Sequence, residues 1–149
     1  MGKVLAEVYD ATPTATFSAS TPRLVNLSVR KNLGSGVTMG FVLEGPGPTT
    51  VLVRAIGPGL SAFHVPGAAS DPQLALYDSK SAKLGENNDW GGTPELASVF
   101  AGVGAFTLPS TSKDAALVAT LLPGNYSVLV TGVNGTTGIA LIEVYEVPK

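Results

Sequence analysis

The chain of 149 residues carries 9 basic and 11 acidic side chains, a net charge of −2, 18 Gly, 11 Pro, one His and no Cys. A charged fraction of 13% with three Arg lacks the basic surface that a phosphate backbone requires, which excludes nucleic acid as a partner. Without Cys there are no disulfides, thiolate metal sites or cysteine nucleophiles, and no apolar run approaches the ~18–20 residues of a membrane span.

Along the chain the dominant hydrophobic period is two, that of strands. Met1-Gly2-Lys3 runs straight into a strand-like segment, Val4–Tyr9, with no secretion signal in between. Residues 11–22 are rich in Thr, Ser, Ala and Pro and read as a linker. Val25, Leu27 and Val29 then alternate with polar residues. Val37–Leu43 and Thr50–Ile56 are apolar and β-branched, separated by Glu44-Gly-Pro-Gly-Pro, which cannot continue a ladder. Gln73–Asp78 and Ala82–Glu86 follow around a Ser/Lys turn.

Thr93-Pro94-Glu95-Leu96 then places a cap residue, an N1 proline and an early acid in order, so a short helix is predicted near residues 94–101. Ala115–Leu121, Tyr126–Thr131 and Ile139–Val147 complete the strands. Pro123-Gly124 makes one turn, and Asn134-Gly135 is a hairpin signal because both residues tolerate positive φ. Nine or ten short strands, one helix and many turns read as an all-β antiparallel sandwich.

The two ends repeat. Leu5-Ala-Glu-Val-Tyr-Asp10 matches Leu141-Ile-Glu-Val-Tyr-Glu146 at four of six positions, with an acid closing both. A strand repeated at nearly the chain length is expected when a tandem array is cut out of register. Residues 1–22 are then the strand and linker of a preceding repeat, and 23–149 the sandwich module. Val4, Leu5, Ala6, Glu7, Val8 and Tyr9 become candidates for strand pairing between modules.

Arg23–Arg30, Gly40-Phe-Val, Val51–Pro58, Asp71–Asp78, Asn88-Asp-Trp-Gly91, Gly104-Ala-Phe106, Lys113–Leu117 and the closing Glu-Val-Tyr together resemble an uncharacterised β-rich repeat module of large exported proteins in Verrucomicrobia and related bacteria. That resemblance covers residues 23–147 and implies export and a surface setting, but no activity. Asp71…Tyr77-Asp78, Asn87-Asn88-Asp89 and Leu122-Pro-Gly-Asn-Tyr126 also resemble bacterial pre-peptidase C-terminal domains. This second resemblance covers about residues 71–146 and implies a jelly-roll sandwich, in some members binding calcium and assisting substrate binding.

Asp71, Asp78, Asn87, Asn88 and Asp89 form the densest group of oxygen donors, and calcium takes six to eight oxygens. The same residues also serve ordinary turns. Trp90 suits either stacking on a sugar ring or plugging one end of the sandwich with its N–H bonded to a carbonyl. Arg54 is a strand arginine among apolar residues, so a structural ion pair is expected, with Glu44, Asp78, Asp114 and Glu143 as available carboxylates. His64 lies between turn signals, Ser61 has no strand–turn–helix elbow, and Gly57-Pro-Gly59 lacks the Lys-Ser/Thr of a phosphate loop.

The expectation is therefore a non-catalytic spacer or self-associating module of a secreted or surface-exposed bacterial protein, assembling head-to-tail through its terminal strands. Its partners would be copies of itself or neighbouring modules. The alternative is a calcium-assisted accessory module that binds carbohydrate or protein, with a glycan as ligand. No cofactor is required, and calcium is the candidate ion.

Overall fold

The computed structural model describes residues 5–16, 18, 21 and 23–148. Among them are eight strands: β1 (Asn26–Asn32), β2 (Val37–Leu43), β3 (Thr49–Ile56), β4 (Pro72–Asp78), β5 (Lys83–Asn87), β6 (Ala115–Leu121), β7 (Gly124–Gly132) and β8 (Ile139–Glu146). One helix, α1 (Pro94–Gly102), lies between β5 and β6. The strands form two four-stranded antiparallel sheets, in the orders β1-β8-β3-β6 and β2-β7-β4-β5. Only β4 and β5 are both consecutive and paired; each other connection crosses from one sheet to the other, which is jelly-roll winding.

This topology corrects the hairpin expected at Asn134-Gly135. Both residues do have positive φ, 52° and 75°. They turn a corner between sheets, because β7 pairs with β2 and β4 while β8 pairs with β1 and β3. A tight turn reverses the chain but does not choose the partner strand. The nine or ten expected strands are eight among the described residues. Leu5–Asp10 is exposed and belongs to neither sheet, and Val4 lies outside the described residues.

The inner faces of both sheets enclose one core, with Val51, Val53, Leu74, Leu76, Val128, Val130 and Ile142 at its centre. The outer face of the first sheet carries a second. There Leu52, Ile56 and Ala116 pack under Leu60, Trp90, Phe100 and Leu108, contributed by a 3-10 turn (Pro58–Phe63), α1 and the loop after it. β3 is thus covered on both faces, which accounts for its unbroken apolar run from Val51 to Val53 and again at Ala55 and Ile56.

Helix α1 begins where its signals place it. Thr93 Oγ1 accepts from the Leu96 N–H at 3.3 Å, Pro94 occupies the first turn, and Phe100 is driven into the second core. The sandwich closes at its β5/β6 side, where Asn87 Oδ1 accepts from the Ala116 N–H at 2.9 Å across the two sheets. Its β1 side is open: every residue of β1 but Leu27 is exposed.

Candidate functional site

The second core is built around a buried ion pair. Arg54 on β3 stands directly opposite Glu143 on β8. Its Nε and Nη2 donate to Glu143 Oε2 at 2.9 and 2.6 Å, and Nη1 donates to the Phe106 carbonyl at 2.7 Å. The guanidinium lies 4.5 Å from the Phe106 ring centroid and 4.9 Å from that of Phe100. Tyr145 Oη donates to the other carboxylate oxygen, Glu143 Oε1, at 2.8 Å. Burial pushes the Tyr145 phenol up to about 12, reinforced by that hydrogen bond and the Glu143 charge. With Arg54 fully buried and Glu143 nearly so, the pair is desolvated and its polar atoms are directed at one another.

Asp114 is the second buried carboxylate, and its partner is backbone. Its Oδ1 accepts from the Gly57 N–H at 2.7 Å, its Oδ2 from the Gly59 N–H at 3.0 Å, and Ser112 Oγ donates to Oδ2. This fastens the start of β6 to the turn after β3. Gly59 admits the carboxylate at close range, since a Cβ there would lie 2.9 Å from Oδ2. The sequence showed Gly57-Pro-Gly59 only as a turn. Its acceptor lies 55 residues or more away, and nothing local signals it.

The five oxygen donors expected to hold calcium do not all converge: Asp71 and Asp89 both act on Lys113, whereas Asp78 stands apart from them. Asp71 and Asp78 sit at opposite ends of β4, roughly 23 Å apart at ~3.3 Å per residue. Asp78 Oδ1 accepts from the Lys80 and Ala82 N–H groups of the β4–β5 turn. Asp71 Oδ2 pairs with Lys113 Nζ at 2.6 Å, while its Oδ1 is buried with no hydrogen-bond partner among the described residues. Asn87 faces the interior, and its Nδ2 donates to the Asp89 carbonyl at 3.0 Å. Among the described residues no group of three His, Cys, Asp or Glu is placed to hold a metal ion. Asp71 Oδ2, Asp78 Oδ1 and Asn87 Oδ1 are engaged by Lys113, by the β4–β5 turn and by β6, and Asp78 lies too far along β4 to share an ion with the other four.

Trp90 corrects the stacking alternative. It is 4% exposed, its Nε1–H donates to the Pro109 carbonyl at 3.0 Å, and its ring lies against Phe100. The indole is part of the cover over the first sheet. His64 is exposed and ends the Pro58–Phe63 turn with φ 55°. A shallow cleft of about 680 Å³ lies on the outer face of the second sheet, lined by Gln73, Ala75, Tyr77, Glu86, Asn88 and Leu129 among others.

The terminal repeat is visible in the side chains as well as in the sequence. Tyr9 Oη donates to Glu7 Oε1 at 3.0 Å, the same contact that Tyr145 makes with Glu143 two residues earlier in β8. Glu7 raises the Tyr9 phenol through that bond and its charge. One copy is at the centre of a sheet. The other is in solvent, with Leu5, Val8 and Tyr9 exposed by 82, 66 and 77%. At the other end of the fold, Glu146 is gripped by Arg23 through two bonds of 2.5 and 2.6 Å, which ties the entry of the module to its exit.

No family model and no curated protein matches the chain. Among solved structures it is similar to the pre-peptidase C-terminal domain of collagenase from Bacillus anthracis, with a TM-score of 0.50 and 8% identity over 80% of this chain and 89% of that one. At that identity the likeness is one of fold, and it matches the jelly-roll sandwich seen here. The resemblance to the exported Verrucomicrobia repeat module finds no support in these comparisons. No helix among the described residues is long and apolar enough to cross a membrane.

Proposed function

We propose that this chain is a non-catalytic structural module of a surface-exposed or secreted bacterial protein, and that it joins copies of itself head-to-tail through its N-terminal strand. The observation that carries this reading is Leu5–Asp10. It repeats the sequence of β8 and its internal Tyr-to-Glu hydrogen bond, yet it lies in solvent with three large apolar side chains exposed. Such a strand is a hazard to an isolated protein unless another chain covers it. Two further features support a structural role. The buried Arg54, Glu143 and Asp114 are engaged with one another or with backbone, and the fold is similar to that of the pre-peptidase C-terminal domain of a collagenase. The alternative of calcium-assisted binding has less support, because Asp78 lies at the far end of β4 from the other four donors and no three acidic or His side chains cluster among the described residues.

Deleting residues 1–12 and measuring molar mass by light scattering tests the reading. The intact chain is expected to show mass rising with concentration, and the shortened chain a monomer at every concentration. Equal mass distributions for the two would remove it.

A further inference from the structure

We infer that the acceptor for Leu5–Asp10 is the open edge of β1 in a second copy of the chain; this rests on the self-associating reading above and specifies its interface. Three observations select β1. First, it is an edge strand with free backbone groups. The Glu146 N–H donates to the Val25 carbonyl, and the ladder pairs Leu27 with Val144 and Val29 with Ile142. Hydrogen-bonded and non-bonded positions alternate in an antiparallel pair, so Val25, Leu27 and Val29 direct their backbone groups at β8. Asn26, Ser28 and Arg30 therefore direct theirs at the open edge, where a further strand can pair.

Second, β1 already accepts this sequence on its other side. Leu141-Ile-Glu-Val-Tyr-Glu146 is its natural neighbour, and Leu5-Ala-Glu-Val-Tyr-Asp10 is a near copy. In the same antiparallel register Glu7 stands opposite Ser28. Val8 then flanks Leu27 and Ala6 flanks Val29, extending the apolar inner face at the side where the sandwich is open; Val29 is 37% exposed there. Third, the charges are complementary. β1 carries Arg30 and Lys31, and the segment carries Glu7 and Asp10. In this register Glu7 is the diagonal neighbour of Arg30 on one face, within reach of long side chains.

Because the chain has no cysteine, engineered thiols report the contact without background. Glu7→Cys and Ser28→Cys are made in separate chains, mixed and oxidised, with Thr38→Cys on the β2 edge as the control acceptor. The expected result is a disulfide-linked dimer from the Glu7→Cys and Ser28→Cys mixture and none from the Glu7→Cys and Thr38→Cys mixture. Arg30→Glu should weaken association about fivefold, and Glu7→Lys in the same chain should restore it. If deletion of residues 1–12 abolishes association but no Glu7–Ser28 disulfide forms, the β1 acceptor is wrong and the self-associating reading survives. If deletion leaves the mass unchanged, both fall. A chain carrying both cysteines that cross-links at monomer mass in dilute solution would show that the segment folds onto its own β1, which also overturns the proposal.

Discussion

Arg54 is the residue on which the second core depends. Its guanidinium has three directed bonds and three aromatic neighbours, Phe100, Phe106 and Tyr145, and no water-exposed surface. Arg54→Ala leaves Glu143 buried without its cation, and breaking a buried pair in this way costs about 3–5 kcal/mol. Replacing both members, Arg54→Met with Glu143→Leu, should cost much less, because no charge is stranded. Urea denaturation of the two variants separates these outcomes. A single variant no worse than the double one would show that the pair is not desolvated.

Tyr145 makes the same site sensitive to alkali. Its phenol titrates near 10 when unfolded and at about 12 when folded, so the folded state holds the proton more tightly. The stability this contributes is complete below pH 10 and is lost as pH rises through 12. The stability difference between the natural chain and Tyr145→Phe should therefore narrow between pH 10 and pH 12, as measured by denaturation at each pH. A constant gap would mean that the hydroxyl is solvated in the folded state.

Among the elements, α1 shows how far local rules reach. Thr93, Pro94 and Glu95 announce its start, and the helix runs from Pro94 to Gly102. Thr93→Ala removes the oxygen that accepts from the Leu96 N–H and should cost about 1 kcal/mol, read from the thermal or urea midpoint. Thr93→Ser should retain most of that stability. The strands were legible in the same local way: the apolar, β-branched runs Val37–Leu43 and Thr50–Ile56 place β2 and β3 within a residue. Their partners were not. Pro123-Gly124 reads as a turn and Asn134-Gly135 as a hairpin, yet each carries the chain from one sheet to the other. Asp114 was equally hidden as a structural residue, since the Gly57 and Gly59 donors meet it only after the strands between them have paired.

Considered whole, the molecule is a closed sandwich on one side and an open one on the other. The β5/β6 side is joined by Asn87, whereas β1 at the far side is exposed along almost its whole length. Leu5–Asp10 contributes nothing to either core. Removing residues 1–12 should therefore leave the melting temperature of dilute protein unchanged while suppressing association at high concentration. A lower melting temperature in dilute solution would instead make the segment part of the module's own fold.

The sequence by itself determined the all-β class, the helix start, the terminal repeat and the absence of cysteine chemistry from these 149 residues. These are properties of period, cap chemistry and composition, which act over a few residues. Only the tertiary structure decided the jelly-roll strand order, the choice of Glu143 from four available carboxylates for Arg54, the burial of Trp90 and the separation of Asp78 from Asp71 along β4. Each of those depends on which distant segments share a sheet face. That choice is made by the burial of whole faces, and no local run of residues encodes it.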